Sequence, residues 1–191
     1  MRILFDIGKT KIRLAGTRDG SSFSEPKIFD TPPGYDDLMT LLHHAGREIA
    51  GEEKIEKPAG GIGAPFHRES GTLYGTRNFP GWEGKPVRDD LTKAFESPVL
   101  LENDSAAVGL GEMVYGAGRG YSIAAYITIS TSVGGVRVTS GKIDRAAKGC
   151  EPGWSVLAVD GEKKYAADFL GGRAMERETG KKPYETTDPA V

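Results

Sequence analysis

The sequence predicts a mixed α/β protein of two domains. Three observations carry that expectation. Two short apolar segments, 3–7 and 11–17, open the chain, and strand-like and helix-like segments then alternate up to position 115. Glycine supplies 27 of the 191 residues, about twice ordinary usage. The excess clusters beside the strands, where a backbone can approach a ligand closely. Finally, Gly116-Ala117-Gly118-Arg119-Gly120 breaks the chain ahead of a second β-prone segment, which places the domains at 1–117 and 118–191.

Residues 3–7 form a short apolar run and read as a buried strand. In Lys11–Thr17 the pattern alternates, with Ile12, Leu14 and Gly16 on one face and Lys11, Arg13 and Ala15 on the other. The tight link Gly8-Lys9-Thr10 makes the two a hairpin. A third strand is expected over Lys27–Asp30, stopped by Thr31-Pro32-Pro33-Gly34. Leu38, Leu41, Leu42, Ala45 and Ile49 then follow helical spacing, and Gly51 closes that helix. Residues 59–64 give a small apolar strand, 78–84 an irregular loop, 87–95 a helix, 98–101 a strand and 105–115 a helix. Beyond the glycine break come a strand over 121–129, a hairpin partner over 135–139, a turn at Ser140-Gly141-Lys142, and a helix over 166–179 stopped by Gly180.

Composition excludes several classes of function. Basic and acidic residues number 25 and 27, a formal charge of −2, so no basic face is available for non-specific nucleic-acid binding. Cys150 is the only cysteine, which rules out an intrachain disulfide and a cysteine-cluster zinc site. No run approaches the roughly 20 apolar residues of a membrane span, and Met1-Arg2 leads into a strand without a signal-peptide run. A soluble, cytoplasmic protein with neither membrane nor nucleic-acid partners is expected.

Two acidic turns stand out. Leu101-Glu102-Asn103-Asp104 places an Asn-Asp pair where an apolar strand gives way to a small-residue helix. Open α/β sheets bind ligands at such strand ends, although an Asn-Asp pair there is also a common helix cap. Asp6-Ile7-Gly8-Lys9-Thr10 is the second turn. It is not a P-loop, because an apolar strand residue stands where that motif needs its first glycine and a strand follows instead of a helix. Its Asp6 offers a carboxylate to a magnesium-bound water, Gly8 and Thr10 offer phosphate donors, and Lys9 adds a point charge. Asp6 capping its own turn beside a solvated Lys9 is the plainer alternative.

The remaining candidates are weaker. Thr128 to Gly135 reads as a hydroxyl- and glycine-rich turn able to face phosphates. Asn78, next to Phe79-Pro80-Gly81-Trp82, joins a hydrogen-bonding amide to an apolar wall, as sugar sites do, with Trp82 itself assigned to packing. Glu151-Pro152-Gly153-Trp154 is a second polar and aromatic loop. His43, His44 and His67 have no ligand spacing.

These segments together resemble the ROK family (repressor, open reading frame, kinase). The resemblance runs from Asp6-Ile7-Gly8-Lys9-Thr10 through Gly61-Ile62-Gly63-Ala64-Pro65, Asn78 to Trp82, Glu102-Asn103-Asp104 and the glycine break, to Tyr126–Gly135 and Glu151-Pro152-Gly153-Trp154. It implies a ribonuclease-H-like (actin-like ATPase) fold and an ATP- and magnesium-dependent hexose kinase similar to glucokinases. It further implies Asp104 as general base and Asn78, Asn103 and Glu151 as sugar ligands. Asp6, Gly8, Lys9 and Thr10 would handle phosphate and magnesium, with Thr131 and Gly134 facing the nucleotide.

The sequence also departs from the family pattern. Lys9 and Ser132 stand where glycines are usual, Trp154 replaces a histidine that contacts sugar and often zinc, and Ala167 replaces a glutamate, with Asp168 adjacent. The cysteine-rich zinc loop is missing, so no zinc is expected. Family members continue past Val191. The alternative reading is therefore a catalytically impaired sugar- or nucleotide-binding relative, or one part of a split assembly. A homo-oligomer or a completing subunit is expected in either case, because an incomplete second domain leaves the apolar strand 121–129 uncovered.

Overall fold

Along β1 (Arg2–Ile7), Ile3, Phe5 and Ile7 alternate with Leu4 and Asp6, and the three apolar side chains are buried in the core. The computed structural model describes residues 1–76, 78–145, 151–181 and 185. β1 pairs antiparallel with β2 (Lys11–Thr17), and β2 with β3 (Lys27–Asp30). The chain then crosses through α1 (Tyr35–Ala50) to β4 (Ala59–Ile62), which lies parallel to β1. A two-rung hairpin, β5 (Phe66–His67) with β6 (Thr72–Leu73), precedes α2 (Val87–Ala94) and β7 (Leu100–Asn103). The five-stranded sheet has the order β3-β2-β1-β4-β7.

α1 buries Leu38, Leu42, Ala45 and Ala50, carries Asp36 and Asp37 in its first turn, and has Arg47 in its last, as the helix dipole favours. Gly51 ends it with φ 60°, donating its N–H to Arg47 O at 2.8 Å. Phe95, just past α2, stacks on Phe5 at 5.5 Å, joining helix and sheet in one core. The last strand of this sheet begins two residues later than expected. Pro98 has no N–H to give a ladder, so pairing starts where Leu100 donates to Pro58 O and runs to Asn103 opposite Ile62. α3 (Asp104–Tyr115) follows at once.

Contacts among the described residues divide the chain into two compact units, Met1–Ala107 and Val108–Val191. The second holds β8 (Ile123–Ile129), β9 (Val133–Thr139) and β10 (Lys142–Ile143) in the order β10-β9-β8. A 3-10 turn (Pro152–Trp154) leads to a separate hairpin, β11 (Val156–Val159) and β12 (Glu162–Tyr165). The expected helix 166–179 is two helices, α4 (Ala166–Leu170) and α5 (Gly172–Thr179), broken at Gly171. The break frees the first N–H groups of α5 for other acceptors: Gly172 donates to Ser130 O at 2.6 Å and Arg173 to Thr131 O at 3.2 Å. Among the described residues, no helix is long and apolar enough to cross a membrane.

Candidate functional site

One row of the first sheet concentrates charge. Strand register places Arg13 opposite Asp6, Asp6 opposite Gly61, and Gly61 opposite Glu102. Side chains of such a row share a face, here the face opposite Ile3, Phe5 and Leu101. Arg13 donates to Asp6 at 3.1 Å, and Arg68, from the β5–β6 turn, donates to Glu102 at 2.5 Å. Gly61 leaves the middle of the row empty, and Asp104 fills it. A methyl on Gly61 would lie 2.9 Å from Asp104 Cα, and one on Gly63 would lie 3.1 Å from Asp104 Oδ2. These two glycines are therefore required by close approach.

Gly63 is the hub of the site. Its N–H donates to Ile7 O at 2.9 Å, and its carbonyl accepts Asn78 Nδ2 at 3.3 Å. Asp6, Asn78, Asn103 and Asp104, four of the residues singled out in the sequence, thus converge at the ends of β1, β4 and β7. The helix cap falls to Asn103, whose Oδ1 accepts the Ala106 N–H at 3.2 Å. That bond orients the amide and leaves Nδ2 as its donor. Asp104 occupies the first position of α3 and accepts the Ser105 N–H on Oδ1 at 2.6 Å.

Burial lifts the Asp6 carboxyl above its ordinary value of 3.8; Arg13 pulls against that lift and the charge of Asp104 adds to it. A carboxyl with a raised value holds its proton more tightly folded than unfolded. Its contribution therefore favours the fold at low pH and is lost as pH rises through the folded value. Asp6→Asn is accordingly expected to be more resistant to denaturant than the parent at neutral pH, with the gap closing below 3.8. Urea titrations of both proteins at the two pH values check this. A less stable Asn variant at neutral pH would refute it.

In the β1–β2 turn the Gly8 N–H is already donated to Lys11 O at 3.0 Å, and Thr31 braces the turn through its hydroxyl on Gly8 O. The turn therefore offers a phosphate the exposed Lys9 ammonium and the Thr10 hydroxyl, while Gly8 supplies close approach. In the second unit Thr131 lies exposed at the tip of the Ser130–Ser132 turn. That turn is tighter than the sequence suggested, because Gly134 already pairs with Thr128 inside the β8–β9 ladder. Glu151 precedes the 3-10 turn and accepts the Trp154 N–H on its carbonyl at 3.0 Å. Gly153 packs so tightly that a methyl would clash with Val133 O. Trp154 is 54% exposed and sits edge-on to Tyr165. Cys150 lies outside the described residues. His43 meets Ala94 O and the His44 ring, and His67 lies against Tyr74.

Sequence reading missed Arg13, Arg68 and Glu102 as parts of the site. For Arg13 a signal existed, since a hairpin closing at Ile7 and Ile12 puts Asp6 opposite Arg13. For Arg68 none did, because 66–73 carries no period long enough to reveal a hairpin.

A model of the ROK family matches residues 2–185. The glucokinase of Thermotoga maritima is 36% identical over 132 residues, 67% of this chain and 41% of that protein. An N-acetyl-D-glucosamine kinase of Escherichia coli is 33% identical over 145 residues, 72% of this chain and 46% of its own length. Among solved structures, the ROK hexokinase of Thermus thermophilus superposes with a TM-score of 0.77 at 30% identity, covering 92% of this chain and 62% of its own. The chain spans less than half the length of the two sequence relatives.

Proposed function

The chain belongs to the ROK family and has its ribonuclease-H-like α/β fold, and from that premise we propose that it serves ATP-dependent phosphorylation of a hexose hydroxyl. The observation that carries the proposal is the row Arg13, Asp6, Asp104, Glu102, Arg68. Both outer acids hold an arginine, whereas Asp104 has no basic partner among the described residues. A carboxylate placed beside a glycine hub and left uncompensated is suited to accept a proton from a bound hydroxyl. Asn78, the Nδ2 group of Asn103 and Glu151 would fix that hydroxyl's sugar. Lys9 and Thr10 would hold the terminal phosphates, with Gly8 allowing their approach, and Thr131 and Gly134 would face the nucleotide. We keep the domain limits at 1–117 and 118–191, since the glycine break ends α3 there.

The residues present also fit magnesium. Asp6, whose ionisation the charge of Asp104 opposes, offers a carboxylate to a magnesium-bound water, and one or two carboxylates beside a nucleotide's phosphates are the usual magnesium set. When bound, the ion would neutralise charge on the phosphoryl group in transfer. The chain's own part is positioning: phosphoryl transfer asks for an aligned hydroxyl, a proton acceptor and anchored phosphates. A coupled ADP-release assay over glucose, N-acetylglucosamine and other hexoses tests the proposal. ADP release that no sugar raises above background would overturn it.

We also propose that the chain works with a second copy or a completing subunit. Ile123, Ile127 and Ile129 of β8 are each more than half exposed, and β8 is an edge strand of its sheet. Such a face and edge invite pairing. Light scattering at micromolar concentration is expected to show a species heavier than one chain. A monodisperse monomer that unfolds cooperatively would contradict this.

A further inference from the structure

The Arg68–Glu102 pair lies outside the groups assigned above to sugar, phosphate or metal, yet it is built into the same sheet row. Glu102 is deep in the site, its side chain 15% exposed, and it uses both carboxylate oxygens. Oε2 accepts Arg68 at 2.5 Å, and Oε1 folds back to accept the Asn103 N–H at 2.8 Å. Asn103 is the last residue of β7, where the ladder to β4 ends. Its amide is thus held by the preceding residue's side chain, and its own side chain caps α3.

Arg68 is itself held from behind. Arg88 donates through both terminal nitrogens to the carbonyls of Arg68 and Glu69, and the Phe66 ring lies 6.0 Å beneath the guanidinium. A chain of bonds therefore runs from α2 through the β5–β6 turn to Glu102, then to the Asn103 backbone and the first turn of α3. Each link is a charge-assisted or carbonyl hydrogen bond with fixed geometry.

We propose that Arg68 and Glu102 are positioning residues that lock the Asn103-Asp104 turn, Arg68 acting through Glu102 on the Asn103 amide. Arg68 also cancels the charge of Glu102, as Arg13 cancels that of Asp6 on the other flank, so the row's uncompensated negative charge falls on Asp104. The proposal rests on the kinase reading for its consequence, but its geometry can be tested without activity. A guanidinium suits the role because it stays charged and binds a carboxylate with fixed planarity, which an ammonium does not.

The test compares the parent chain with Arg68→Gln and Arg68→Lys. Amide hydrogen exchange at Asn103 is expected to quicken by about tenfold or more in Arg68→Gln, as a charge-assisted bond loosens. Amides along β1 and β4 should stay at parent rates, and Arg68→Lys should recover part of the protection. In the ADP-release assay, turnover should fall on the order of 10–10²-fold in Arg68→Gln, the effect of slight misplacement. The KM for nucleotide should hold, because the phosphate turn is untouched. Exchange at Asn103 that stays at the parent rate, or that quickens equally along β1 and β4, overturns the assignment whether or not any sugar is phosphorylated. A parent chain that releases no ADP while Asn103 exchange still responds would instead sink the kinase reading and leave the positioning role standing.

Discussion

Replacing Asp104 by Asn is expected to lower turnover by about 10²–10⁴-fold while leaving the fold intact. The two side chains are nearly isosteric, and Asn retains the oxygen that accepts the Ser105 N–H. The cap of α3 is not at stake, because Asn103 provides it through the Ala106 N–H. Gly61 and Gly63, which receive the side chain, see no added bulk. What disappears is a negative charge in a row where both neighbouring acids are matched by arginines. Asp6 loses a like-charged neighbour, so the stability change should be slight, below about 1 kcal/mol, and in the favourable direction. Proton acceptance matters only as the sugar oxygen attacks, so turnover should fall further than sugar affinity. Measuring turnover, sugar affinity and melting temperature on the two proteins gives the answer. Full turnover in the Asn variant would remove Asp104 from the mechanism, and the kinase reading would lose its main support.

Asp6 and Asp104 were legible in the sequence because each lies where a strand ends. Ile3, Phe5 and Ile7 announce β1, and the chain has to turn at Gly8, which leaves Asp6 at the rim. The first three strands and α1 could be placed for the same reason: their apolar faces are regular and their stops are Gly and Pro. Other features depended on partners far along the chain. The Gly171-Gly172 pair permits the break in 166–179, and the distant carbonyls of Ser130 and Thr131, which take the first N–H groups of α5, complete it. The β11–β12 hairpin is a different case. Asp160-Gly161 directly after the β-prone run Val156–Val159 is a hairpin signal, and their φ values of 51° and 79° are those such a turn needs. The arginines that set the site's charge lie between these cases, since register exposes Arg13 whereas only tertiary structure brings Arg68 to Glu102.

The largest loss of stability is expected from Trp82→Ala. Trp82 is 2% exposed, stacks on Phe79 at 4.4 Å and meets the Tyr35 ring edge-on at 5.6 Å. Its indole N–H donates to Pro33 O at 3.2 Å, tying the 78–84 loop to the start of α1. Truncation removes the ring from a packed core and leaves that carbonyl without its donor, a combined cost of about 3–5 kcal/mol. A domain of this size has roughly 5–15 kcal/mol in all. The melting temperature should therefore fall by at least about 12 °C, taking about 4 °C per kcal/mol. Function should suffer ahead of global unfolding, because Asn78 reaches Gly63 from the loop that Trp82 anchors. Sugar affinity is thus expected to drop even where the variant is still folded. Trp82→Phe gives an intermediate case, since it keeps an aromatic face for stacking but loses the N–H to Pro33 and part of the buried ring. Urea unfolding of the parent and both variants should rank them parent, Phe, Ala. An Ala variant within about 1 kcal/mol of the parent would show that the loop holds Asn78 without its tryptophan, and the link drawn here between core packing and the sugar site would fail.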